Sequence, residues 1–185
     1  MEKGQVIIFP TDTIYGMGCQ LYDKVALERI YEIKKRSHDK DIPVLVSSIV
    51  QINVIAKYDS KALRIMQNFW PGPLTLILQS TPDFYNKTGD KTIAIRIPDH
   101  YVTIELINNF GPLRTTSVNI SGEEPLNKIE DIRKQYGNVV DHIYGEHVGH
   151  YIGIASTIVD ISNGSIKLVR EGAIPFEDIL AVYNK

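Results

Sequence analysis

Short apolar runs alternate with segments of helical spacing along most of the chain. Residues 6–9 are apolar and closed by Pro10, the pattern of a buried strand. A polar, glycine-bearing loop follows. Asp23 can then cap a helix that carries Ala26, Leu27, Ile30 and Ile33 on one face and runs into Lys34-Lys35-Arg36. Residues 43–46 read as a second buried strand. Two helical segments are expected at 50–57 and 61–69, the second with Leu63, Met66 and Phe69 at helical spacing. Trp70-Pro71-Gly72-Pro73 stops it, because proline cannot continue a helix and pushes its predecessor towards extended geometry.

Residues 74–78, 92–97 and 113–118 are strand candidates, and Tyr101–Phe110 and Ile129–Tyr136 read as helices. The end of the chain reads as strand-rich, with 157–161 and 166–169 flanking Asn163-Gly164, a strong hairpin signal. Strands interleaved with helices predict an α/β fold on a mixed sheet, since the terminal hairpin excludes a purely parallel one. No repeat or linker interrupts the pattern, so residues 1–185 are read as one domain.

The 185 residues carry 20 basic and 22 acidic side chains, a formal charge of −2. A generally basic nucleic-acid binder is thereby disfavoured, although a local basic patch is still allowed. Cys19 is the only cysteine, which excludes an intrachain disulfide and a zinc-knuckle framework. The apolar runs fall far short of the ~18–20 residues a membrane span needs, and no basic-then-apolar leader opens the chain. The expectation is a cytoplasmic protein with no membrane partner.

Candidate chemistry sits at several places. The loop Pro10-Thr11-Asp12-Thr13-Ile14-Tyr15-Gly16-Met17-Gly18 follows a buried strand, where open α/β sheets bind ligands; it also suits a plain turn held by Asp and Thr hydrogen bonds. Gly16-Met17-Gly18 supplies two glycines of a dinucleotide fingerprint, but Leu21 occupies the third position and rules that reading out. No Walker A loop is present. Lys34-Lys35-Arg36-Ser37-His38-Asp39-Lys40 places four cations within seven residues. They are either solvated charges complementing a helix C-terminus or a clamp on phosphates.

Arg96 lies inside an apolar strand on the same alternation face as Thr92 and Ala94. Its guanidinium must meet an anion, either a structural Asp or Glu or a substrate carboxylate. Thr115-Thr116-Ser117-Val118-Asn119-Ile120-Ser121-Gly122 leaves a strand with a burst of hydroxyls, suited to sugar or phosphate oxygens or to a turn. Ser156-Thr157 opens one arm of the terminal hairpin and Arg170-Glu171-Gly172 closes the other. The five histidines show no metal-ligand spacing, and no catalytic triad is evident, so no protein metal site is expected.

Together these segments resemble the YrdC/Sua5 family, the threonylcarbamoyl-AMP synthases. The matching pieces, in order, are PTDTIYGMG, the KKR of Lys34 to Arg36, WPGPLTLIL, TIAIRIP, TSVNISG, STIVD and VREG. The resemblance covers nearly the whole chain. It implies a twisted open sheet with flanking helices around a large, positively lined cavity. It also implies synthesis of L-threonylcarbamoyladenylate and pyrophosphate from L-threonine, bicarbonate and ATP, a nucleotidyl transfer. A separate transferase complex would then deliver the group to adenosine 37 of tRNA. The family's Lys-x-Arg and Ser-x-Asn pattern matches Lys34, Arg36, Ser117 and Asn119; the YciO-like branch lacks it, so its presence points to a working synthase.

By the same resemblance, Thr13, Arg96, Ser156 and Thr115 would bind threonine, with Arg96 on its carboxylate. Lys34 and Arg36 would be the catalytic cations. Lys40 would join them on the triphosphate, Thr92, Ser117, Asn119 and Arg170 would hold nucleotide groups, and Tyr15 would shape the cavity. Magnesium is expected on the nucleotide phosphates.

The chain departs from the family where it starts only a few residues before Val6, so the usual preceding helix is expected to be missing. Ser37 and Asp41 stand where many members have proline, and Leu45 where some carry a ligand-facing histidine. With nothing after Lys185, the chain resembles the short YrdC form. A different reading of the same fold is a double-stranded RNA-binding or ribosome maturation protein, using Lys34, Lys35, Arg36 and Lys40 on phosphates. The net charge and the lack of an aromatic stacking platform weigh against it. A third is a nucleotide-binding relative without catalysis, against which the retained Lys34, Arg36, Ser117 and Asn119 count.

Overall fold

The computed structural model describes residues 1–145 and 152–185. The first strand, β1 (Ile7–Phe9), pairs antiparallel with β2 (Gly16–Gln20), so the glycines expected in a loop are strand residues. An added Cβ on Gly18 would stand 2.6 Å from the Arg114 carbonyl oxygen and 2.9 Å from Thr115 Oγ1. The crowding of that strand pair therefore selects glycine, against its poor intrinsic strand propensity.

Asp23 caps α1 (Lys24–Lys34) as expected, accepting from the Val25 and Ala26 amides. Its buried residues are Ala26, Ile30, Tyr31 and Lys34; Leu27 and Ile33 are partly buried. Lys35 ends the helix in a left-handed conformation, φ 49°, and the Arg36 amide donates back to the Tyr31 carbonyl.

Next come β3 (Val44–Leu45), α2 (Ile49–Ile52), β4 (Ala56–Lys57), α3 (Ser60–Phe69), β5 (Leu74–Ser80), α4 (Pro82–Thr88), β6 (Thr92–Arg96), α5 (Tyr101–Phe110) and β7 (Leu113–Ser117). The chain continues through α6 (Ile129–Tyr136), β8 (His142–Ile143), β9 (Thr157–Asp160), β10 (Lys167–Arg170) and α7 (Phe176–Tyr183).

Three expectations change here. Helix over 50–57 gives way after Ile52, and Ala56–Lys57 pairs antiparallel with β5. The apolar stripe of α3 is Ala62, Ile65 and Met66, with Leu63 only partly buried. The chain ends in helix α7, not in strands alone; its Ile179, Val182 and Tyr183 are buried beside α3. The expected terminal hairpin is present as β9 and β10, with a register shift between Leu168 and Arg170.

Among the described residues the ten strands form one twisted mixed sheet in the order β10-β9-β5-β6-β3-β7-β2-β1-β8, with β4 on β5. β9 lies parallel to β5, β3 to β6 and β8 to β1; the other pairs are antiparallel. Three clusters build the core. Leu74, Leu76, Leu78, Ile93 and Ile95 pack with α3 and α7; Ile8, Met17 and Cys19 pack with α1 and α6; Ile7, Phe9 and Leu113 pack with α5. The alternate residues of β5 and β6 (Thr75, Ile77, Thr92, Ala94, Arg96) are left facing a cavity. Among the described residues, no helix is long and apolar enough to cross a membrane.

Candidate active site

Strand alternation makes the site. Thr92, Ala94 and Arg96 of β6 share one face with Thr75 and Ile77 of β5, Thr115 and Ser117 of β7, and Ile158 of β9, around a cavity of about 360 Å³. Its charged wall residues are Arg36, Arg96, Arg170 and Asp41.

Arg96 is only 6% exposed, and its guanidinium is held on three sides. Nε donates to the Gly72 carbonyl at 2.9 Å, Nη1 to Thr13 Oγ1 at 2.8 Å, and Nη2 pairs with Asp12 Oδ1. Burial works against the Arg96 charge and Asp12 opposes that effect. Both alternatives left open for Arg96 are thus compatible: Asp12 is its structural anion, while one N–H on each terminal nitrogen remains available to a ligand. The loop between β1 and β2 is shaped for this contact. Thr11 Oγ1 donates to the Ile14 carbonyl at 2.6 Å and accepts from the Thr13 amide at 3.1 Å, which turns Thr13 towards Arg96.

Beside Arg96, Ser156 Oγ lies 2.8 Å from Thr75 Oγ1, and Arg170 Nη2 donates to the Ser156 carbonyl at 2.8 Å. Burial and then the Arg96 charge lower the Arg170 pKa, so the two guanidiniums repel across the site. An anion between them relieves that repulsion.

The other end of the cavity is set by β6 running back to Thr92, four residues or about 13 Å from Arg96. There Arg36 rests on two backbone carbonyls, Nε on Lys40 and Nη2 on Asp41, each at 2.9 Å. The rest of its guanidinium is half-buried in the cavity wall. Ser117 lines the same wall and donates to Asn119 Oδ1 at 2.6 Å.

Lys34 has a different place from the one its basic run suggested. It is 1% exposed, and Nζ donates to the Ser117 carbonyl at 2.6 Å, the Asn119 carbonyl at 2.7 Å and Asn119 Oδ1 at 3.0 Å. Burial, and then the Arg36 charge, lower its pKa to about 8. Lys34 and Asn119 therefore brace the wall from behind, and Lys40 lies exposed outside it. The structure brings together Thr13, Tyr15, Arg36, Thr92, Arg96, Thr115, Ser117, Ser156 and Arg170. Asp12, behind Arg96, and Thr75, beside Ser156, join them without having been given a role from sequence. Among the described residues no group of His, Cys, Asp and Glu is placed to hold a metal. His147 and His150 lie outside the described residues.

A family model described as telomere recombination, covering Sua5, YciO and YrdC, matches residues 1–172. The chain is 35% identical over 188 residues to the threonylcarbamoyl-AMP synthase of Bacillus subtilis, covering 98% of this chain and 54% of that protein. The crystal structure of P. abyssi Sua5 complexed with L-threonine matches with a TM-score of 0.88 at 32% identity, over 97% of this chain and 54% of that one. E. coli YciO matches with a TM-score of 0.84 at 29% identity, over 95% of this chain and 87% of that one. The chain thus spans about half the length of the B. subtilis and P. abyssi relatives. With the sheet, the cavity and these matches in agreement, the chain belongs to the Sua5/YciO/YrdC family.

Proposed function

We propose that this protein is an L-threonylcarbamoyladenylate synthase, using L-threonine, bicarbonate and ATP and releasing pyrophosphate. The observation that carries the reading is Arg96: a buried guanidinium, fixed by Asp12, Thr13 and Gly72, with two N–H groups left for a carboxylate. A relative bound to L-threonine shares the fold at 32% identity. Thr13, Ser156 and Thr115 surround the amino acid, Arg170 adds positive charge, and Tyr15 closes the wall. Arg36, Thr92 and Ser117 take the nucleotide at the other end. Lys34 and Asn119 hold the Ser117 segment in position, and Lys40 reaches the triphosphate only if its exposed side chain swings inward.

The amine of threonine captures bicarbonate or CO2 as a carbamate. A carbamate oxygen attacks the α-phosphorus, and pyrophosphate leaves. The chain's part is positioning, which removes up to ~7–11 kcal/mol of barrier in favourable cases, and cationic stabilisation of the developing charge. Among the described residues Asp41 is the only carboxylate of the cavity wall, so the donor set fits a magnesium ion held by phosphates and water, not by a protein cage. Such an ion neutralises phosphate charge when the nucleotide is bound. In the cell we place the protein in the cytoplasm, supplying a transferase complex that modifies adenosine 37 of tRNA.

The test is product identification by mass spectrometry with 13C-bicarbonate. Threonylcarbamoyl-AMP carrying one extra mass unit is expected; AMP or ADP alone, with no labelled adduct, would overturn the proposal.

A further inference from the structure

Neither the carbamate step nor the adenylate transfer calls on Thr75, yet its hydroxyl is buried in the cavity wall. Thr75 sits on β5, 3% exposed, and its Oγ1 lies 2.8 Å from Ser156 Oγ. Among the described residues, Ser156 is the one hydrogen-bond partner of that hydroxyl.

The backbone around Ser156 is fixed without help from Thr75. The Ser156 carbonyl accepts from Arg170 Nη2 at 2.8 Å, and the following amide, of Thr157, donates to the Pro73 carbonyl at 3.0 Å. Thr157 Oγ1 accepts from the Gly172 and Ile174 amides, each at 3.0 Å, which pins the segment after β10 against the start of β9. These contacts leave open only the rotation about χ1, where a serine hydroxyl has three staggered positions. Threonine carries two heavy atoms on Cβ and is stiff at χ1. In a packed strand its Oγ1 is a fixed point, and the bond between the two hydroxyls passes that stiffness to Ser156.

The proton count gives the pair a direction. Two hydroxyls bring two protons; their mutual bond uses one, whichever of them donates, and the other is left for an acceptor in the cavity. Arg170 Nη2, 3.5 Å from Ser156 Oγ, can only donate, so it does not take that proton. The corner therefore presents one oriented O–H in a wall that also holds the Arg96 and Arg170 guanidiniums, surroundings suited to a carboxylate.

We propose that Thr75 is a positioning residue, which fixes the Ser156 hydroxyl in the orientation that receives threonine and takes no part in holding the nucleotide. The proposal rests on the synthase reading. A hydroxyl already oriented need not be ordered at the moment of binding, so the gain appears as affinity for the amino acid.

Steady-state pyrophosphate release, with threonine and ATP varied in turn, tests this. Thr75→Val keeps the branched shape and deletes the hydroxyl. It is expected to raise the KM for threonine about fivefold, the worth of one net hydrogen bond. The KM for ATP and kcat should stay within about twofold of wild type. Thr75→Ser, which restores a hydroxyl, should bring the threonine KM most of the way back. Because Thr75 acts through Ser156, adding Thr75→Val to Ser156→Ala should change the threonine KM by less than about twofold. Thr75→Ala supplies the same deletion should the valine variant fail to fold. A wild-type threonine KM in the hydroxyl-deleted variant overturns the proposal. So does an equal rise in both KM values, no rescue by serine, or an undiminished effect in the Ser156→Ala background. Wild-type protein whose release ignores threonine would instead overturn the synthase reading itself, and this proposal with it.

Discussion

Lys34 is tied to Asn119 twice, through the backbone carbonyl at 2.7 Å and the side-chain oxygen at 3.0 Å, while the Lys34 carbonyl accepts from the Ser121 amide at 2.8 Å. One residue at the end of α1 thus fixes the exit of β7 from both its backbone and its side chain. The ammonium has three donors for three oxygens; the neutral amine has two.

The pH dependence follows from the lowered pKa. In the fold Lys34 titrates near 8, against 10.5 when solvated, so the unfolded chain holds this proton more tightly between those values. The cost of burying the charge is present below about 8 and is relieved as pH rises towards 10.5, so stability should rise across that window. Lys34→Met abolishes the rise and, by taking the ammonium donor from the Ser117 and Asn119 carbonyls, costs about 1–3 kcal/mol near pH 7. Urea unfolding of both proteins from pH 7 to 10.5 checks this; parallel curves would show that Lys34 does not titrate there.

Arg96 and Asp12 form a nearly dry pair, with side chains 7% and 2% exposed. Asp12→Ala leaves the guanidinium without its anion and should cost about 3–5 kcal/mol. Arg96→Lys keeps a charge but not the fork, and is expected to raise the KM for threonine at least tenfold with little change in that for ATP. Steady-state kinetics with each substrate varied decides it; equal effects on both would remove Arg96 from the threonine end.

Gly18 and Gly172 are steric requirements of different kinds. Gly18→Ala drives a methyl against the Arg114 carbonyl and should destabilise by about 1–3 kcal/mol, measured by thermal or urea unfolding. At Gly172 a Cβ would meet the Ala155 carbonyl oxygen and stand 2.6 Å from the Ser156 carbonyl carbon. Gly172→Ala should therefore displace Ser156 and lower turnover more than stability.

Cys19 is buried, and desolvation followed by the Asp23 charge raises its pKa to about 12. The native thiol should resist a thiol-specific reagent at pH 8, while the unfolded chain reacts with one equivalent. Rapid labelling of the native protein would contradict its place in the core.

Much of this was written locally in the sequence. The alternation in Thr92-Ile93-Ala94-Ile95-Arg96 announces the cavity face, and Asp23 announces the start of α1. Helix α4 carried a readable signal in Thr81-Pro82, a cap followed by proline at the first turn. Lys34 could have been placed in the interior, since it follows Ala26 and Ile30 at four-residue spacing on the buried face. Other features depend on distant partners. β2 is strand because it pairs with β1 and with the distant β7, and Asp12 meets Arg96 across 84 positions of chain. No local pattern encodes either contact.

Pyrophosphate release tests the central claim most directly, measured from ATP and magnesium with threonine and bicarbonate supplied together and then with each omitted. The account predicts release that requires both. Release indifferent to threonine, or none from folded protein, would contradict it.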